Sequence, residues 1–261
     1  MKNIGFFELA GFCGLLLAIL TAPLKAEPGQ HMDAVTGDNS ANEPPLACNL
    51  NALDAEQRLR VHALVAELRS GIQQVKELPD GYAMRLSTDA SNISKLGEYV
   101  SLERLCCPFF DFVIQAERED GPVLITLTGR EGVKDLARAE FSLTGTCLRH
   151  TGAEVASSQA ESPLICNDGA LTAAQLARLI QLIHEIRAAK KEIKELPDGY
   201  AVRLSASSSL IRDVTEYMSI LRICSPYFET RLEVTRQSGP VWLTMTGRQG
   251  VKSLTKIELG I

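Results

Sequence analysis

The chain repeats itself. CNLNALDAEQRLR from Cys48 returns as CNDGALTAAQLAR from Cys166, and KELPDGYAMRLS from Lys76 returns as KELPDGYAVRLS from Lys194. EYVSLERLCCPFF from Glu98 returns as EYMSILRICSPYF from Glu216, and GPVLITLTGREGVK from Gly121 returns as GPVWLTMTGRQGVK from Gly239. Every pair is offset by 118 positions, and 43 of the 96 aligned positions are identical between 48–143 and 166–261. Internal repetition of this kind fixes the organisation before any local reading. The 261 residues therefore divide into two modules, 48–143 and 166–261, rather than one large domain.

Outside the modules the composition changes. Residues 1–26 read as a signal peptide: Lys2 gives the positive start, residues 9–20 the apolar stretch, and Leu24-Lys25-Ala26 the cleavage site before Glu27. The apolar stretch is short for a membrane span, which needs about 20 residues, although an uncleaved anchor is the alternative. Cys13 follows the bulky Phe12, which disfavours lipidation. The expected location is periplasmic or secreted, with membrane contact only through this segment. Residues 27–47 and 144–165 are rich in polar and turn-forming residues and read as a flexible leader and an inter-module linker. The net charge of −5, with no clustered Lys and Arg, argues against a nucleic-acid partner. Whether the modules pack against each other, and on what else they act, is open at this level.

Each module carries the same local signals. Asp54 with Gln57, and Thr172 with Gln175, match a capping box opening a helix. The first helix of module one runs to about residue 72, with Leu59, Val61, Leu64, Val65 and Leu68 forming an apolar stripe. VKEL and YAMRL flank Pro79-Asp80-Gly81, a hairpin signal. A second helix spans about 91–106, with Ile93, Leu96, Tyr99, Val100 and Leu105 on or near one face, and Pro108 pushes Cys107 out of helical geometry. FDFVIQAE and VLITLTG alternate around Glu119-Asp120-Gly121 as a second hairpin, and residues 131–141 close the module as a helix. The expected fold is α+β, two α-β-β-α-β-β-α modules with helices on an antiparallel sheet. Gly129 and Gly247 are expected to take special backbone angles at the strand-to-helix turn.

Cys106-Cys107-Pro108 is the sharpest chemical feature. Adjacent cysteines rarely bond to each other, because the bridge strains the peptide between them. They offer soft sulfur ligands to Hg, Zn or Cu(I), with Cys48 as a third thiol and Glu103, one turn before Cys107, as an oxygen ligand or orienting base. Both thiols stand at a helix C-terminus, whose negative dipole end favours a bound cation over a thiolate nucleophile. The competing reading is structural. Cys48 with Cys106 and Cys166 with Cys224 form two equivalent disulfides, or remain buried thiols. Closing a loop of nearly 60 residues contributes about 4 kcal/mol in the chain-entropy account.

Module two has Leu221 for Glu103 and Ser225 for Cys107, so any site belongs to module one. Cys147-Leu-Arg-His150 is a weak C-x-x-H spacing, and Cys147 is a further mate for Cys107. His31, His62 and His184 read as solvated. The TGRxGVK segments lack the spacing of a phosphate loop. No Ser-His-Asp, paired-carboxylate or H-E-x-x-H arrangement is present, so catalysis is not expected, and thiol oxidoreduction lacks its C-x-x-C.

The leading Cys, ELPDGYAMRL, LERLCCPFFDF and LTGREGVK together resemble a small bacterial domain with an ERxCCPF motif. That domain occurs alone and as the C-terminal part of some heavy-metal-responsive regulators of the mercury-resistance-regulator type. The resemblance covers nearly all of each module, and its most specific piece is complete at Glu103–Phe110 but only partial at Leu221–Phe228. It implies soft-metal contact through Cys48, Cys106 and Cys107. Unlike those regulators, this chain has no recognisable DNA-binding helix-turn-helix before the modules and carries an export signal, which removes transcriptional regulation.

Overall fold

The computed structural model describes residues 46–143 and 161–261. Residues 1–26, expected to be a signal peptide, most of the expected leader, Cys13, His31, Cys147 and His150 lie outside the described residues.

Module one runs α1 (Ala55–Gly71), β1 (Ile72–Leu78), β2 (Gly81–Leu86), α2 (Ser91–Cys106), β3 (Phe110–Ala116), β4 (Val123–Gly129) and α3 (Val133–Glu140). Module two repeats it as α4 (Ala173–Ala189), β5 (Lys190–Glu195), β6 (Gly199–Leu204), α5 (Ser208–Cys224), β7 (Glu229–Val234), β8 (Val241–Thr246) and α6 (Val251–Leu259). This is the α-β-β-α-β-β-α order expected from the sequence. Both capping boxes form, with Asp54 and Thr172 each accepting from the backbone three residues on while Gln57 and Gln175 reach back.

All eight strands join one sheet in the order β1-β2-β4-β3-β7-β8-β6-β5. The modules are fused through β3 and β7, which pair antiparallel with Ile114 opposite Leu232. Leu232 is the repeat counterpart of Ile114, so a pseudo-twofold axis passes through that pair. The flanking contacts obey it. Glu119 N–H donates to Pro226 O and Gln237 N–H to Pro108 O, each at 2.6 Å. The helix layer crosses on the same axis, where Gly97 of α2 meets its own counterpart, Thr215 of α5. A Cβ at residue 97 would lie 1.7 Å from Thr215 Oγ1. The notch left by a glycine thus receives a threonine, a fit that two identical copies could not make with each other.

Alternate strand positions are buried, as in Phe110, Phe112, Ile114 and Ala116. One face of the sheet therefore packs under the helices and the other is left half-exposed. Two local expectations are corrected. Leu59 is 73% exposed and Leu105 is also exposed, so α1 buries Leu64 and Leu68 instead, and α2 points Leu105 to water. At the strand-to-helix turns the left-handed glycines are Gly132 and Gly250 (φ +88° and +97°), not Gly129 and Gly247, whose missing Cβ instead admits the carbonyls of Phe109 and Tyr227. In the second hairpin of module one, Glu119 and Asp120 carry positive φ. The packed chain also begins before each leading cysteine. Leu46 and Leu164, counterparts in a shared E-x-P-L-x-C pattern, rest against the core and against Gly132 and Gly250. Among the described residues no helix is long and apolar enough to cross a membrane.

Candidate metal centre

The site forms where the start of module one meets the end of α2. Asn49 N–H donates to Cys106 O at 2.7 Å, which holds Cys48 against the helix terminus. Arg58 of α1 donates to the carbonyls of Leu50 and Leu53 and fixes the intervening turn. Helical geometry ends at Cys106. Cys107 closes the last turn, its N–H donating to Glu103 O at 2.7 Å, but has left the helix at φ −123°, ψ 68°, as the following proline requires.

That change of backbone decides which thiol meets Cys48. Cys107 forms the disulfide, with Cα atoms 4.6 Å apart. The expected Cys48–Cys106 pairing is therefore incorrect, and so is a Cys147–Cys107 bridge. Cys106, still helical, turns its thiol back over the preceding turn, toward Glu103 O at 3.5 Å and Glu103 Oε2 at 3.6 Å. The expected Cys166–Cys224 bridge is also absent, both being free thiols. Module two places Ser225 where Cys107 stands, although its backbone is the same. Asn167 N–H donates to Cys224 O at 2.8 Å, and Ser225 lies at φ −139°, ψ 62°. Cys166 instead donates to Asp168 Oδ1 at 3.0 Å.

Of the four candidate ligands, Cys48, Glu103 and Cys107 converge, their ligand atoms all within 4.8 Å of one another. Cys106 is a buried neighbour outside that set. Cys48 is exposed, whereas Glu103 and Cys107 are buried. Burial, reinforced by the nearby Glu140 charge, pushes the Glu103 carboxyl up to about 8. Burial followed by Glu103 pushes the Cys106 thiol up to about 12. Glu140 is raised by burial as well, against the opposing effect of Tyr99, whose hydroxyl donates to Glu140 Oε1 at 2.8 Å.

Sequence reasoning missed Glu140. Its signal was available but points first to scaffold, because Tyr217 and Glu258 reproduce the same hydrogen bond in module two at 3.2 Å. Glu103 has no such copy. The cluster opens onto a cavity of about 250 Å³, whose lining includes Cys48, His62, Glu103, Cys106, Cys107 and Glu140. The arrangement supports two chemistries: a disulfide when oxidised, and two soft sulfur donors with one oxygen donor when reduced. Neither a family model, nor a curated protein, nor a solved structure matches this chain.

Proposed function

We propose that module one binds a single soft metal ion (Zn, Hg or Cu) through Cys48, Cys107 and Glu103 in the dithiol state, the disulfide being its metal-free oxidised state. One observation carries this reading. Module two builds the same fold with Leu221 and Ser225 in place of Glu103 and Cys107, so the fold requires neither residue. A buried carboxyl whose only side-chain hydrogen bond comes from the weak donor Cys106 costs stability, and a copy without it exists in the same chain. A cation removes that cost and gives the two thiolates their reason for meeting. The helix C-terminus adds a favourable dipole. The resemblance of Glu103–Phe110 to a motif of heavy-metal-responsive proteins points the same way.

Loading requires reduction. An external dithiol exchanges with the bridge, becoming a disulfide itself and leaving Cys48 and Cys107 as thiols. In a periplasmic or secreted setting the balance of the two states depends on that reductant. No catalytic role is assigned.

A second reading rests on the bridge itself, which staples the module's start to α2 without binding anything. Titration of the reduced protein with Zn²⁺ against a chromophoric chelator, under argon, separates the two. The expected result is one equivalent of Zn²⁺, lost in Cys48→Ser and Cys107→Ser, weakened in Glu103→Gln, and unchanged in Cys166→Ser. Reduced wild-type protein that takes up no stoichiometric metal leaves the staple as the function.

A further inference from the structure

The residues around the thiols differ between the modules. The module-one cavity of about 250 Å³ is walled by Leu50, Leu53, Val61 and Val65, with Cys48, Cys107 and Glu103 among its polar lining. At the positions of Val61 and Val65, module two carries Leu179 and Ile183, each one carbon larger, and it replaces Glu103 with the apolar Leu221. Leu179 and Leu221 are buried. The two enlarged side chains and the lost ligands occur together in the same copy, which also has Asp168 in place of the apolar wall residue Leu50.

A bare ion has no use for this volume. One water occupies about 30 Å³ of liquid, so the cavity is many times what an ion and its donors need. Apolar walls also give water few partners. An organic group would gain from them in proportion to the apolar area it buries.

Building on the soft-metal reading, we propose that the physiological ligand is a thiophilic centre already carrying one small organic group, with Cys48 and Cys107 taking the centre and the valine-lined wall taking the group. The chemistry balances without redox change. An organoarsenic(III) oxide, R–As=O, reacts with the two thiols to give R–As(S)₂ and one water. Two As–S bonds form, the As–O bonds break, and both thiol protons leave on the oxygen.

The test compares phenylarsine oxide with inorganic arsenite on the reduced full-length protein, with Zn²⁺ as a separate titration. Dithiothreitol supplies the reference preference of a dithiol without walls. Wild-type protein should favour phenylarsine oxide over arsenite by about tenfold or more beyond that reference. The double variant Val61→Leu, Val65→Ile, which installs side chains already tolerated in module two, should lose that excess while keeping Zn²⁺ uptake. A preference equal to that of dithiothreitol, or one unaffected by the double variant, overturns this inference and leaves metal binding standing. Failure of the Zn²⁺ titration with both thiols demonstrably free overturns the metal-binding reading itself.

Discussion

Replacing Ser225 with cysteine should close a second bridge, from Cys166, and measure how faithfully the two copies share their backbone. The main-chain bond that holds Cys48 against α2 recurs at Cys166, at 2.7 and 2.8 Å. The residues after the two helices have nearly the same dihedrals, −123°/68° and −139°/62°. The Cys166 thiol already neighbours Ser225 and Cys224. The bridge in module one spans a sequence separation of 59, and the duplicate would span the same distance. For that length the chain-entropy relation gives about 4 kcal/mol. In a folded unit of this size about 1 kcal/mol moves Tm by about 2–4 °C, so the oxidised variant should melt at most about 8–16 °C higher. Peptide mapping of the oxidised protein locates the bridge, and calorimetry with and without reductant gives the shift. If the introduced thiol stays free, or if Cys166 joins Cys224 instead, the copies do not share geometry at this point and the reasoning from symmetry fails.

Two further outcomes follow from the packing and the buried charge. Gly97→Ala should destabilise the protein by about 1–3 kcal/mol through overpacking at the α2–α5 crossing, and Thr215→Gly in the same chain should remove most of that loss in urea unfolding, a non-additivity expected of residues in contact. Glu103 is held above its ordinary value in the fold, so between about 4.5 and 8 the folded protein binds more protons than the unfolded chain. Its contribution to stability is therefore intact below that window and declines as pH rises through it, by up to about 1.4 kcal/mol per pH unit. Glu103→Gln should flatten this decline in unfolding midpoints measured at pH 5 and pH 8, and an unchanged slope would refute the assignment to Glu103.

The candidate site was only partly legible. Cys48, Glu103 and Cys107 were all visible as candidates, because residue type and the contrast with Leu221 and Ser225 are properties of the sequence. Repetition points to Cys106 as the partner of Cys48, because Cys106 has a copy at Cys224, whereas the bridge goes to Cys107. Pro108 held the contrary signal: by forcing Cys107 off the helix it re-aimed that thiol, while Cys106 stayed turned toward Glu103. The cavity walls could not be foreseen. Val61 and Val65 read as ordinary members of an apolar stripe until the turn at Leu50–Leu53 is seen to close over them.

The sequence alone determined the repeat, the order of elements, the capping boxes and the turns. These depend on the 118-residue periodicity and on interactions among residues close along the chain. Tertiary structure decided what depends on contacts between distant segments. β3 pairs with β7 around Ile114 and Leu232, Gly97 receives Thr215, and Cys48 reaches Cys107 across 59 positions. The reason is physical: a strand edge carries the same unpaired backbone groups whatever its side chains, so its partner is chosen by packing that no local pattern encodes.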